Sequence, residues 1–158
     1  MSIRGQKILV IGYGRIGRKV SALFSSLGAE VMIYDKYNVD ESTCTLEDGL
    51  KEAKAVTLHV SGNEEVLGAK ELDHMPKGAL LLNSARGGVV NEDALYERLQ
   101  DGRIGGFWSD ALWQEPYKGK VRECDSALLT PHICTYTASC REQMEVDAVK
   151  NLLRDLGL

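Results

Sequence analysis

Along this chain, short uninterrupted apolar runs alternate with segments whose apolar residues recur every three or four positions. Lys7-Ile-Leu-Val-Ile11 is the first run, and its lack of polar interruption reads as a strand buried on both faces of a parallel sheet. The next segment places Ile16, Val20, Leu23, Phe24 and Leu27 on one helical face, a stripe of the kind a surface helix turns toward its core, with Gly28 as the stop. Glu30 to Tyr34 reads as a second strand ending at Asp35. The polar stretch from Asn38 to Thr45 leaves room for a minimal strand at most, whereas Leu46 to Ala53 has helical spacing. Ala55–Val60 and Gly78–Leu82 read as strands, and Asn91–Gln100 as a helix capped by Asn91 and stopped at Gly102. Ile104–Trp108 and Ala127–Leu129 are further strand candidates. The last stretch puts Met144, Ala148, Val149, Leu152, Leu153 and Leu156 on one helical face.

Strands alternating with helices predict an α/β fold: a Rossmann-type, doubly wound parallel sheet with right-handed crossovers, in three α/β/α layers. With 158 residues, 44% of them hydrophobic and 27% charged, the chain suits one domain over residues 1–158, and no repeat or linker divides it. A net charge of −4 lacks the basic stripe a nucleic-acid backbone requires. Cys44, Cys124, Cys134 and Cys140 show neither C-x-x-C spacing nor a cluster with histidine, which argues against a metal site and for reduced thiols. No apolar run is long enough for a membrane span and the amino terminus shows no leader-like segment, so a cytoplasmic protein without a membrane partner is expected.

Candidate chemistry begins where the first strand ends. Gly12-Tyr-Gly14-Arg-Ile-Gly17 lies between a strand and a helix, the context in which this glycine spacing marks a dinucleotide turn. Gly12 permits the tight turn, Gly14 lets backbone approach a pyrophosphate, and Gly17 allows the helix to pack closely on the strand. Ile16 belongs to the same turn, and Arg15 is placed to add a charged contact to a phosphate. Asp35, eighteen residues beyond Gly17 at the second strand's end, suits the two hydroxyls of an adenine ribose. A 2′-phosphate would meet like charge there, so NAD is favoured over NADP, although Lys36 beside it softens that preference.

Further along, Asn83-Ser-Ala-Arg86-Gly-Gly-Val-Val-Asn-Glu-Asp-Ala-Leu95, Asp110-Ala-Leu-Trp-Gln-Glu115-Pro116 and Leu128-Leu-Thr-Pro131-His132-Ile133 follow one another in order. Together with the glycine turn they resemble the signatures of the D-2-hydroxyacid dehydrogenases, a family that includes phosphoglycerate, D-lactate and glyoxylate/hydroxypyruvate enzymes. The resemblance runs from Arg4 to the last helix. It implies a small-molecule 2-hydroxy or 2-keto acid as substrate and NAD as cofactor. His132 is then the acid/base, Arg86 the grip on the substrate carboxylate, and Glu115 the partner that orients the histidine ring. The same assignments make physical sense, since a guanidinium fork matches a carboxylate and an imidazole exchanges protons near neutrality. By resemblance Asp110 lies near the nicotinamide carboxamide, while Val60, Ser84 and Ala85 lie on loops at the carboxyl edge of the sheet.

Other residues invite plainer readings. His59 ends a buried strand and suits a structural role, His74 sits in a polar turn facing solvent, and Trp108 and Trp113 suit core or interface packing. Three features depart from the family. Ser61-Gly62 replaces a proline after the strand, the segment from Tyr37 to Thr45 is short, and Cys134-Thr135 replaces glycines beside the expected nicotinamide position. The family's substrate domain is not found in these 158 residues, so a separate substrate domain or a homodimer is expected. Two other possibilities stand beside the dehydrogenase: a non-catalytic NAD-sensing or dimerisation module, and a different Rossmann enzyme such as a methyltransferase using S-adenosylmethionine.

Overall fold

The apolar run at Lys7–Ile11 (β1) becomes an inner strand of a six-stranded, all-parallel sheet in the computed structural model, which describes residues 2–157. The sheet order is β2-β1-β3-β4-β5-β6, with β2 at Glu30–Tyr34, β3 at Ala55–Leu58, β4 at Ala79–Asn83, β5 at Ile104–Ser109 and β6 at Ala127–Leu129. Five helices accompany it: α1 (Arg15–Ser26), α2 (Leu46–Glu52), α3 (Ala69–His74), α4 (Glu92–Gln100) and α5 (Ala138–Asp155). The predicted strands all form. In the polar stretch after β2, where at most a minimal strand was expected, the chain makes a 3-10 turn at Val39–Glu41.

Strand periodicity sorts the core. Leu9 and Ile11, Val56 and Leu58, Leu81, and Phe107 point to one face, where they pack with Leu50 of α2, Leu72 of α3, and Leu95 and Leu99 of α4. Each fully buried leucine there contributes about 2 kcal/mol by leaving water. Local chemistry sets the helix starts on that face. The Thr45 side chain accepts from Asp48 N–H at 3.1 Å ahead of α2, and that of Asn91 accepts from Ala94 N–H at 3.0 Å ahead of α4.

The opposite face carries α1, and here the helical stripe misleads. Ile16, Leu23 and Leu27 are exposed, and the buried residues of α1 are Gly17 and Ser21. These small residues allow the helix axis to come very close: a Cβ built on Gly17 would stand 1.9 Å from the Gly12 carbonyl oxygen. Large side chains at that contact would push the helix away, so they flank it. Towards β6 this face is open, with Leu80 and Leu128 exposed. The C-terminal helix forms as expected, but its apolar face, including Val149, Leu152 and Leu156, is exposed. His74 also differs from expectation, ending α3 half-buried instead of lying in a solvent-facing turn. Among the described residues no helix is long and apolar enough to cross a membrane.

Candidate functional site

Because all six strands run the same way, their following loops gather at one edge, and the strand order sets the sequence of functional groups along it. Asp35 follows β2, the turn Gly12–Gly17 follows β1, His59 and Val60 follow β3, Ser84 to Arg86 follow β4, Asp110 follows β5 and His132 follows β6. Succession reverses at β1, whose neighbours are β2 and β3, and in open parallel sheets such a reversal opens a crevice at the carboxyl edge. A crevice of about 490 Å³ lies there, lined by Gly12, Gly14, Arg15, Ile16, Asp35 and Val60 among others. These are six of the residues expected to hold the cofactor.

The turn after β1 is built from backbone. Gly12 has φ of +91°, and a Cβ on it would lie 2.7 Å from the His59 carbonyl carbon and the Val60 nitrogen, so only glycine lets β1 and β3 close together here. Gly14 caps α1 with no side-chain hydrogen bond, and a Cβ there would meet nothing within 4 Å. The first N–H groups of α1 are therefore left for an anion, on a helix whose first turn carries no acidic residue. The open cradle and its donors fit a dinucleotide pyrophosphate.

Asp35 is 8% exposed, and its carboxylate accepts backbone N–H bonds from Tyr13 at 2.6 Å, Tyr37 at 2.8 Å and Asn38 at 2.9 Å. Burial by itself would raise its pKa, but these donors outweigh burial and hold it below the ordinary carboxylate range. The acid is thus kept ionised at the crevice wall.

At the other end, the groups are set by side-chain ties across long stretches of chain. The carboxylate of Asp110, 4% exposed, accepts from the Thr130 hydroxyl at 2.6 Å and from the N–H groups of Ile133 and Cys134, each at 3.0 Å. Burial pushes this acid up, and the hydrogen bonds, that of the Cys134 thiol included, overcome it and leave the carboxyl strongly depressed. The thiol pays the converse: its bond to Asp110, then its burial, push Cys134 up to about 11. The carboxylate that sequence resemblance places by the nicotinamide is engaged here with the loop that carries His132.

His132 itself has a left-handed backbone, φ +54°, and its Nδ1 lies 3.0 Å from Glu115 Oε1. A carboxylate offers only acceptors, so Nδ1 carries the hydrogen and Nε2 is the ring nitrogen that Glu115 does not engage. Arg86 is exposed, with Nη1 donating to the Ala85 carbonyl at 2.7 Å. Its loop is shaped by Asn83, which is fully buried, donates to the Arg86 carbonyl at 2.9 Å and accepts from Ala85 N–H at 3.0 Å. Asn63 Oδ1 receives Gly88 N–H at 2.9 Å on the far side of that loop. Glu115 and His132 are thus in direct contact, while Arg86 reaches the same edge from β4. Asn83 and Thr130 stand inside the sequence motifs without a role of their own there, and Asn63 stands outside them. Asn63 and Thr130 bond to partners 25 and 20 positions away, which no spacing rule links, whereas Asn83 bonds within three positions. For His59 the sequence favours a structural role. It is half-buried, its ring bonded on both sides, and burial lowers its pKa to about 4.

Comparison with known proteins places these features in a family. A family model described as D-isomer specific 2-hydroxyacid dehydrogenase, NAD binding domain, matches residues 1–134. Glycerate dehydrogenase of Methylorubrum extorquens is 34% identical over 157 residues, covering 95% of this chain and 50% of its own. D-3-phosphoglycerate dehydrogenase of Haemophilus influenzae is 35% identical, covering 90% of this chain and 38% of its own. The chain therefore spans half or less of the length of these curated relatives. Among solved structures, the NAD-complexed D-isomer specific 2-hydroxyacid dehydrogenase of Lactobacillus delbrueckii ssp. bulgaricus superimposes with a TM-score of 0.83 at 32% identity, over 96% of this chain and 55% of that one.

Proposed function

The chain belongs to the D-isomer specific 2-hydroxyacid dehydrogenase family as its NAD-binding domain, and on that premise we propose that it serves an enzyme interconverting a 2-keto acid and a D-2-hydroxy acid. The contact between His132 and Glu115 at the strand tips carries this reading. Gly12, Gly14, Arg15, Ile16 and Gly17 hold the pyrophosphate and Asp35 the adenine ribose, while Val60, Ser84, Ala85 and Asp110 border the remaining half of the cofactor. Bound NADH supplies the hydride for reduction.

Arg86 receives the substrate carboxylate through its planar fork. Nε2 of His132 gives a proton to the substrate oxygen as the keto acid is reduced and takes one back in the reverse direction, with Glu115 fixing the ring. A substrate-binding portion, in cis or from a partner, closes over these groups and excludes water. The exposed apolar residues of α5 favour a homodimer, and four free thiols fit a reducing cytoplasm.

The cofactor part is tested by titrating NADH against the fluorescence of Trp108 and Trp113, or by calorimetry. Binding at micromolar to millimolar NADH is expected, and no detectable binding at millimolar NADH would sink the reading. For the chemistry, His132→Ala in an active assembly should lower turnover on 2-keto acids by about 10²- to 10⁴-fold while leaving NADH affinity nearly unchanged. Unaltered turnover removes His132 from the proposed role. A second reading, a non-catalytic NAD-dependent dimerisation module, is favoured by the same exposed α5 stripe. NADH-dependent dimerisation without dehydrogenase activity across a keto-acid panel would support it, and turnover abolished by His132→Ala would exclude it.

A further inference from the structure

Between the pyrophosphate turn and Arg86, three side chains form a closed relay that the proposed chemistry does not use. His59 lies one residue beyond β3, on the crevice wall. Its Nε2 is 2.9 Å from Thr57 Oγ1 and its Nδ1 is 2.8 Å from Ser84 Oγ. Ser84 in turn donates to the Leu58 carbonyl at 3.1 Å.

Counting hydrogens decides the tautomer. With the ring proton on Nε2, Ser84 would have to spend its one proton on Nδ1, and the Leu58 contact would hold no hydrogen. Thr57, 5% exposed, would also find no acceptor for its own proton among the described residues. With the proton on Nδ1, Thr57 donates to Nε2, Nδ1–H donates to Ser84, and Ser84 donates to Leu58, so every contact carries one hydrogen. An imidazolium would again strand the Thr57 proton, and burial holds the ring neutral down to about pH 4.

We infer that His59 is a positioning residue: its neutral Nδ1–H ring fixes the Ser84 hydroxyl as an acceptor only, so that this edge selects a hydrogen-bond donor on the ligand. Ser84 has given its proton inward and received one from the ring, and the lone pair that remains accepts and cannot donate. Which donor follows from strand order and rests on the NAD reading above. With adenosine at β2 and pyrophosphate at β1, the tips of β3 and β4 border the nicotinamide half, whose ribose offers hydroxyl donors. A phosphate or carbonyl oxygen is refused at this position.

The test has two arms. Ring nitrogen resonances of His59, followed by ¹⁵N NMR on the full chain from pH 5 to 8, should show a protonated Nδ1 and a bare Nε2, the reverse of the tautomer a free histidine prefers. A protonated Nε2 anywhere in that range overturns the inference, whether or not NADH binds. In the second arm, NADH titration calorimetry compares Ser84→Ala, His59→Phe and the double variant. Each single change should weaken NADH by about fivefold, the worth of one hydrogen bond, and the double variant no further. Multiplying losses would show that His59 does not act through Ser84. His59→Asn, whose amide nitrogen overlays Nδ1, should bind NADH within about twofold of the parent, whereas His59→Gln, which overlays Nε2, should resemble His59→Phe. Equal behaviour of the two amides overturns the inference. Failure of the parent chain to bind NADH overturns the cofactor reading and the ligand assigned to Ser84, and leaves the NMR arm to decide the tautomer.

Discussion

Two buried carboxylates mark the ends of the functional edge, and they are held by the same physics for different ends. Asp35 closes contacts within its own strand tip and the glycine turn, with partners at residues 13, 37 and 38. Asp110 reaches from the end of β5 to a loop beyond β6, with partners at residues 130, 133 and 134. Both stay ionised because N–H and hydroxyl donors outweigh burial. The β1–β2 end is thus a surface formed by backbone approach with one acid set into it. The β5–β6 end is a loop suspended from a side chain. The first kind of site depends on room for backbone, and the second on one long-range anchor.

Substitutions separate the two modes, beginning with the largest effect. Gly17→Ala forces a methyl group against the backbone carbonyl of Gly12 and should cost more than about 3 kcal/mol of stability in urea denaturation. A loss below about 1 kcal/mol would mean that the β1 turn has slack and is not set by close approach. Asp35→Asn should weaken NADH about 10- to 100-fold by calorimetry and narrow the preference for NADH over NADPH. An unchanged preference would show that the acid does not face the ribose.

Asp110→Asn, at the other end, keeps the shape but loses charge-assisted bonds to the loop, and should cost about 2 kcal/mol. Hydrogen exchange should quicken at Ile133 and Cys134 and stay unchanged at Tyr13. Equal loosening at both ends would erase the distinction between them. The smallest effect is one of pH. The folded pKa of His59, about 4, lies below its ordinary value of 6.5, so its contribution is complete above pH 6.5 and is lost as the pH falls towards 4. Allowing for the ring's partial exposure, this amounts to about 1–2 kcal/mol. His59→Gln should flatten that part of the stability profile, leaving the steeper loss below pH 4 to Asp35 and Asp110.

The β1–β2 end was legible because its determinants are local: three glycines at fixed spacing, an apolar run before them and an acid at the next strand's end. The motifs around Arg86, Glu115 and His132 were legible as motifs, and the structure brings Glu115 and His132 into contact. The anchors of their loops were not legible. Asn63 looks like an ordinary turn residue, and Asn83 and Thr130 are motif positions whose buried hydrogen bonds the motifs do not name. His59 was read as a structural residue at the end of a buried strand, and its contact with Ser84 spans 25 positions.

By itself, then, the sequence determined the alternation of strands and helices, the glycine turn, the acid that faces it and the identity of the groups at the strand tips, since each follows from periodicity or from spacing along one stretch of chain. Tertiary structure alone decided which face of α1 is buried, where Asp110 spends its acceptors and how Thr57, His59 and Ser84 share their protons. Burial and hydrogen-bond partnership belong to pairs of residues brought together by the sheet, and a single stretch of sequence does not name the other member of the pair.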